Sequence, residues 1–104
     1  MAQKIVWTLP AARDLEQIVQ FIAKDSPNYA EEFLTEAHVL ASRLVQFPRR
    51  GRKVPELKDS TIREIFLSSY RLIYQTTQNH VMILALIHGS RDLLALWRRE
   101  KRLI

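Results

Sequence analysis

Hydrophobic residues in the first half of the chain recur at the spacing of an α-helix. Four of them occupy positions i, i+3, i+4 and i+7 of one run: Leu15, Ile18, Val19 and Ile22. This spacing predicts an amphipathic helix over residues 10–24. Ser26 followed by Pro27 is typical of a helix start and predicts a second helix over residues 27–48. Because only a short break separates the two helices, they should form an antiparallel hairpin.

Beyond residue 61 the hydrophobic period becomes that of a strand. Three runs rich in β-branched and aromatic residues, 62–67, 70–76 and 81–88, are joined by short polar connections, so neighbouring strands should be antiparallel. The last run is almost entirely apolar, which suits a strand covered on both faces. The middle run should divide its residues between two faces, with Tyr70, Leu72 and Tyr74 on one and Arg71, Ile73 and Gln75 on the other.

The remaining segments complete the architecture. Residues 5–7 are predicted to form a short strand, and residues 92–104 a final helix. Residues 47–60 combine helix-breaking Pro and Gly with clustered basic side chains, which predicts a basic loop. The order β-αα-βββ-α predicts an α+β fold, with an N-terminal helical hairpin packed on a mainly antiparallel sheet and a C-terminal helix. The length suits one domain over residues 1–104.

Charge is distributed unevenly along the chain. Residues 1–47 carry four basic and six acidic side chains, whereas residues 48–104 carry twelve basic and five acidic ones, so the net charges are −2 and +7. A basic half of this kind attracts polyanions or an acidic protein partner. The chain has no cysteine, which excludes disulfides and cysteine-based zinc sites. No signal peptide or run long enough to cross a membrane is evident, so we expect a cytoplasmic protein.

Three arginines are candidates for binding an anionic target. Arg63 and Arg71 lie on adjacent predicted strands, and Arg91 follows the last strand. A guanidinium binds phosphate through paired hydrogen bonds, and arginines on neighbouring strands can converge on one face. We therefore expect these three side chains to share a target. The alternative is that each is solvated or pairs with a nearby carboxylate: Glu56, Glu64 or Asp92.

Other side chains have two interpretations each. The run from Arg49 to Lys53 could contact phosphate or be an ordinary hydrated charge cluster. The apolar side chains of the final helix could belong to the core or to a partner surface. For proton transfer His88 is the best-placed candidate, with a lysine of lowered pKa or an arginine-perturbed tyrosine as alternatives. The histidines lack ligand spacing, so we expect no metal and no cofactor.

Short fragments along nearly the whole chain share their order and spacing with a known superfamily. They include Trp7-Thr8, Asp14-Leu15, Ser26-Pro27, Phe47-Pro48, Gly51-Arg52, Val54-Pro55-Glu56, Ile62-Arg63-Glu64, Tyr70-Arg71-Leu72-Ile73-Tyr74 and His88-Gly89. On these fragments the chain resembles the ParE/RelE toxins of type II toxin–antitoxin pairs. The resemblance implies a small toxin that an antitoxin, encoded beside it, wraps and blocks.

The superfamily has two branches with different targets. RelE-like members cut messenger RNA on the ribosome with basic residues and often a C-terminal tyrosine, whereas ParE-like members act on DNA gyrase without nuclease activity. By position, Arg71 and Arg91 match the two arginines of the ribonuclease set, and Arg63 matches one of its lysines. Ile65 stands at the second lysine position and Trp97 at the tyrosine position. An indole N–H only donates, so Trp97 cannot act as a base.

These departures favour gyrase inhibition, with a ribosome-dependent messenger-RNA endoribonuclease as the alternative. If the chain were a ribonuclease, the catalytic set would be Arg63, Arg71, His88 and Arg91. The expected partners are a cognate antitoxin, whose binding segment is disordered alone, and DNA gyrase or else the ribosome and messenger RNA. The side chains expected to contact the target are Arg52, Arg63, Arg71, Arg91, Trp97 and Arg98.

Overall fold

The predicted helices and strands all form, with one addition. The computed structural model describes residues 4–102. In chain order its elements are β1 (Lys4–Trp7), α1 (Leu9–Ala23), α2 (Pro27–Arg43), β2 (Arg52–Lys53), β3 (Ile62–Leu67), β4 (Tyr70–Thr76), β5 (His80–His88) and α3 (Leu93–Glu100). The α+β fold with its helical hairpin is confirmed. The strand β2 lies inside the segment that was predicted to be a loop. The sequence did not predict it, because two residues are too few to show the alternation of a strand.

The strands form one five-stranded sheet in the order β1-β5-β4-β3-β2. The pairs β2–β3, β3–β4 and β4–β5 are antiparallel, as their short connections predict, and β1 pairs with β5 in parallel. Leu84 is an extra residue in β5, because Ile73 pairs with Ala85 while Tyr74 pairs with Ile83. Such a bulge lets the strand twist beyond the point where β1 ends.

Each face of the sheet carries its own hydrophobic core. The helical hairpin covers one face, where Phe33 and Leu44 pack with Leu72, Tyr74 and Leu86 of the sheet. The helix α3 covers the other face, and the residues buried there include Ile62, Ile73, Ala85, Leu93 and Trp97. The alternation predicted for β4 and the two-sided burial predicted for β5 are thus confirmed.

The two helices of the hairpin are capped at their starts, whereas α2 and α3 end earlier than the sequence predicts. Thr8 and Ser26 cap α1 and α2 by accepting hydrogen bonds from backbone N–H groups. The helix α2 ends at Arg43 rather than near residue 48, and turns follow it. The helix α3 ends at Glu100 because Lys101 adopts a left-handed conformation with φ 50°. The predicted continuation over residues 103–104 lies outside the described residues.

The buried ion pair of Asp14 and Arg102 binds backbone groups of β5 beyond the point where β1 ends. The Asp14 carboxylate accepts a 3.0 Å hydrogen bond from the backbone N–H of Leu86. Arg102 donates to the same carboxylate at 2.9 Å and to the carbonyl of Leu84 at 3.2 Å. These bonds satisfy backbone groups that would otherwise lack partners, and they tie α1 to the residues after α3. No helix within residues 4–102 is both long and apolar enough to span a membrane.

Candidate functional site

The three candidate arginines do not share a face of the sheet. Arg63 pairs across the ladder with Tyr74, whereas Arg71 pairs with Phe66. Paired residues point to the same side, and positions 63 and 66 differ by an odd number, so the two arginines point to opposite sides. Arg63 therefore lies on the face of the helical hairpin and Arg71 on the face of α3. The expectation of a single convergent arginine site is wrong.

Arg71 belongs to an internal ion-pair network. Its Nε donates to Glu64 at 2.6 Å, and its two terminal nitrogens donate to the two carboxylate oxygens of Glu56, each at 2.8 Å. Arg71 is 4% exposed and Glu64 1% exposed. Arg52, which is well exposed, donates from Nε to the other Glu64 oxygen at 2.7 Å. The carboxylate-pairing alternative is therefore the one that holds for Arg71.

The ion pairs shift the pKa values of Arg71 and Glu56. Hydrogen bonds to Glu56 raise the pKa of Arg71, although its burial opposes the shift. The hydrogen bond from Arg71 in turn holds the pKa of Glu56 below its usual value. Because two carboxyl groups accept hydrogen bonds from its guanidinium, the Arg71 charge is compensated inside the fold. This burial and pairing leave Arg71 little surface for the predicted contact with a target.

Trp97 and Arg98 are adjacent in sequence but differ in exposure. Trp97 is 4% exposed and packs in the core beneath α3. Its indole nitrogen has no hydrogen-bond partner among the described residues. Trp97 is thus a core residue, and its burial leaves little of the indole accessible for the predicted contact with a target. Arg98 lies on the exposed side of α3 and remains accessible.

Arg63 joins the basic segment after α2. Its guanidinium donates a 2.8 Å hydrogen bond to the carbonyl of Gly51, because β2 brings that segment alongside β3. Lys53 pairs directly with Arg63 and so shares its face. We call Arg49, Arg50, Lys53 and Arg63 the basic corner. In the sequence Arg63 and the basic loop are separate candidates, and the pairing of β2 with β3 brings them together.

A second group surrounds the end of β5. His88 is exposed, and its Nδ1 lies 2.7 Å from the Ser90 hydroxyl and accepts from the Ser90 N–H at 3.2 Å. The rings of His88 and Tyr70 meet edge to face with centroids 5.4 Å apart. Both side chains, with Arg91, line a recess of about 200 Å³ between the sheet and α1. Of the four residues in the predicted ribonuclease set, only His88 and Arg91 are brought together.

A family model described as the ParE toxin of the type II toxin–antitoxin system parDE matches residues 5–93. The chain belongs to the ParE toxin family. Two curated relatives, each 33% identical over 92 residues, are Toxin RelE2 of Caulobacter vibrioides and Putative toxin Y4kP of Sinorhizobium fredii. The matches cover 88% and 86% of this chain, and 99% and 92% of the relatives.

Two solved structures share the fold of this ParE-family chain. A chromosomal ParDE toxin–antitoxin system from P. aeruginosa matches with a TM-score of 0.70 and 18% identity, covering 84% of this chain and 96% of that one. The RelBE2 toxin–antitoxin complex of Mycobacterium tuberculosis matches with a TM-score of 0.59 and 23% identity, covering 85% and 99%. The α+β architecture is therefore that of ParE and RelE toxins.

The sequence offered Glu56 and Glu64 as possible partners of Arg71, but their pairing in the interior of the fold was not predicted. Glu64 and Arg71 occupy positions whose neighbours two residues away, Ile62 and Ile73, are apolar and buried. Opposite charges in an inward-facing register indicate a buried ion pair, and that signal was present in the sequence. The Asp14–Arg102 pair gave no comparable signal, because its partners are 88 residues apart.

Proposed function

We propose that this ParE-family toxin inhibits DNA gyrase by binding it, and that a cognate antitoxin neutralises the toxin. The observation that carries the proposal is the internal pairing of Arg71 with Glu64 and Glu56. That arginine stands where the ribonuclease branch would place a phosphate-stabilising group. A guanidinium that already donates hydrogen bonds to two carboxylates has no free pair of N–H groups with which to bind a phosphate.

Three side chains at which the ribonuclease alternative would need proton transfer do not supply it beside Arg71. Trp97, at the family's tyrosine position, is buried and only donates. Ile65, at the second lysine position, is apolar and packs against the hairpin core. His88 lies on the other face of the sheet, since it pairs with Tyr70 rather than with Arg71. Stoichiometric inhibition of a target needs none of these groups, and this favours gyrase binding over cleavage.

The proposed contacts with gyrase are the predicted residues that remain accessible. Arg52, Arg91 and Arg98 are exposed, and Arg63 is partly buried. Arg91 precedes α3 and Arg98 lies on its exposed side, and neither forms an ion pair within residues 4–102. Charges without internal partners raise the rate and specificity of association with an acidic surface.

The proposed antitoxin surface is the groove between α2 and β3. It has a volume of about 340 Å³ and is lined in part by Val39, Arg43 and Phe66. Val39 is 42% exposed and Phe66 52% exposed, so the groove offers apolar area to a partner. A disordered antitoxin segment that folds into such a groove would bury these side chains. The solved neighbours are themselves toxin–antitoxin systems, which supports this choice of partner.

The direct test is a gyrase assay with purified toxin. Supercoiling should fall and cleaved DNA should accumulate as toxin is added. The variants Arg91→Glu and Arg98→Glu should each require several-fold more toxin for the same inhibition. Arg13→Glu, which changes the same charge at an exposed position on α1, should behave as the native protein does. Supercoiling that is untouched at a large molar excess of toxin would contradict the proposal.

Messenger-RNA cleavage is the second candidate, favoured by the group around His88. The curated relative Toxin RelE2 bears the name of the other branch. His88, Tyr70 and Arg91 line one recess, which places a titratable imidazole beside a cation. Primer extension on cellular messages after toxin induction tests this candidate. New cleavage sites that disappear in His88→Ala would support it, and an unchanged pattern of messages would exclude it.

A further inference from the structure

The basic corner carries charges that the fold does not compensate. Within residues 4–102 the arginines found in ion pairs are Arg52, Arg71, Arg99 and Arg102, so no member of the corner is paired. Arg49, Arg50 and Lys53 are exposed, and Arg63 is partly buried. Like charges kept close together repel one another, and a bound polyanion relieves that repulsion.

Hydrogen bonds hold the backbone of this corner in a fixed shape. The buried Tyr74 hydroxyl donates to the carbonyl of Pro48 at 2.8 Å and accepts from the N–H of Gly51 at 2.9 Å. Arg63 holds the Gly51 carbonyl at 2.8 Å. A Cβ at position 51 would lie 2.4 Å from the Glu64 carbonyl oxygen, so only glycine fits this close approach. A surface fixed before binding loses less conformational entropy when it binds.

An open recess adjoins two of these arginines. It has a volume of about 630 Å³ and is lined by Phe47, Pro48, Arg49 and Arg50. The Phe47 side chain is 59% exposed although it is a large aromatic ring. An aromatic ring beside guanidinium groups offers flat surfaces on which an unpaired nucleobase can stack, while the cations contact its phosphates. Duplex DNA presents no unstacked base to such a ring.

We propose that the basic corner, together with Phe47, binds a single-stranded segment of DNA. Arg49, Arg50 and Lys53 contact consecutive phosphates, and one base stacks on Phe47. Arg63 contributes charge and positions the Gly51 backbone. The choice of DNA over RNA rests on the proposed function, because gyrase acts on DNA. The choice of a single strand rests on the exposed Phe47 ring, which can stack only on an unpaired base. The stacking and phosphate contacts use only the toxin's own surface and need no gyrase.

Binding is measured by fluorescence anisotropy of a labelled oligothymidylate about ten nucleotides long, with the full-length toxin and no gyrase present. The logarithm of the association constant should fall with the logarithm of salt concentration with a slope of about −2 to −3, the value for three or four phosphates on a single strand. Phe47→Ala should weaken binding about tenfold through the lost stacking. Arg49→Gln combined with Arg50→Gln should make the slope shallower by about 1.4.

Matched controls distinguish binding at a nucleic-acid site from nonspecific attraction of an anion to a basic protein. Arg13→Gln removes one exposed positive charge from α1 and should leave the affinity unchanged. Polyglutamate of equal charge should compete poorly, because it has no base to stack. Equal competition by polyglutamate, tighter binding of duplex DNA, or unchanged affinity in Phe47→Ala would each overturn the proposal. Tighter binding of the matching oligouridylate would overturn the choice of DNA.

The binding assay and the gyrase assay can fail separately. Toxin that binds the oligonucleotide but leaves gyrase untouched would contradict the proposed function while the DNA site stands. Toxin that inhibits gyrase but does not bind the oligonucleotide would contradict the DNA site alone. Both are supported if Phe47→Ala weakens oligonucleotide binding and gyrase inhibition together.

Discussion

Arg63 and Arg71 are of the same residue type and lie on neighbouring strands, yet their surroundings differ sharply. Arg71 is 4% exposed and bound by Glu64 and Glu56, so its charge is compensated within the fold. Arg63 contacts a backbone carbonyl and lies in a group of uncompensated cations. A buried charge requires partners, whereas a charge at the surface can remain available for a ligand. The environment of an arginine, rather than its position in a family motif, decides its role.

The largest expected effect comes from breaking the internal network. Glu64→Ala removes the buried carboxylate and leaves Arg71 with only the partly exposed Glu56. Losing one partner of a buried ion pair costs about 3–5 kcal/mol of the free energy of unfolding. Urea denaturation followed by circular dichroism measures this loss. Glu56→Ala should cost clearly less, and equal losses in the two variants would show that Glu64 has no special part in the network.

A smaller effect is expected from loosening the basic corner. Tyr74→Phe removes the hydroxyl that bonds both Pro48 and Gly51. It leaves a backbone N–H and a carbonyl without that partner, which should lower the free energy of unfolding by about 1–3 kcal/mol. Hydrogen exchange of the Gly51 amide should also become faster. Tyr70→Phe is the matched control and should change that exchange rate little; equal acceleration in both variants would contradict the anchoring role of Tyr74.

The sequence predicted the helices and strands better than it predicted the surroundings of Arg63 and Arg71. Helical spacing around Leu15 and strand alternation around Ile73 reflect burial on one face, which is a local property of the chain. Whether Arg63 and Arg71 share a face depends on the register between β3 and β4, which no local pattern reveals. The two-residue strand β2, which joins Arg63 to the basic corner, is likewise too short to predict.

Acid should weaken the ion pairs between carboxylates and arginines, while the arginines and lysine of the basic corner keep their charge. The pKa values of Glu56 and Glu100 are lowered, in each case chiefly by a hydrogen bond from an arginine. A carboxyl with a lowered pKa contributes stability above its ordinary pKa and loses it as the pH falls through the lowered value. The free energy of unfolding should thus be level near neutral pH and fall below about pH 4.5.

The contribution of Glu56 to this acid dependence should be modest. Because its side chain is 33% exposed, solvent screening limits the effect to less than about 1 kcal/mol. Denaturation at a series of pH values, with the native protein and Glu56→Gln, measures it. The variant should show a shallower fall in acid. An identical acid dependence would contradict the pairing of Glu56 with Arg71.

The smallest expected effect on stability comes from the exposed cations. Arg49→Gln and Lys53→Gln remove charges that have no ion-pair partner within residues 4–102. Such surface substitutions usually change the free energy of unfolding by no more than about 0.5 kcal/mol. Urea denaturation of both variants tests this. A loss above about 1 kcal/mol would show that the corner contributes to the fold and is not free for a ligand.

We infer that Arg71 stabilises the interior of the fold and does not lie at the surface that meets the target. Replacing the buried pair with apolar side chains, in the double variant Glu64→Leu and Arg71→Met, separates these roles because such exchanges often preserve folding. The measurement is gyrase supercoiling at increasing toxin concentration, with folding of the variant verified by circular dichroism. The predicted result is inhibition at the same toxin concentration as the native protein. A folded variant that no longer inhibits gyrase would contradict the claim.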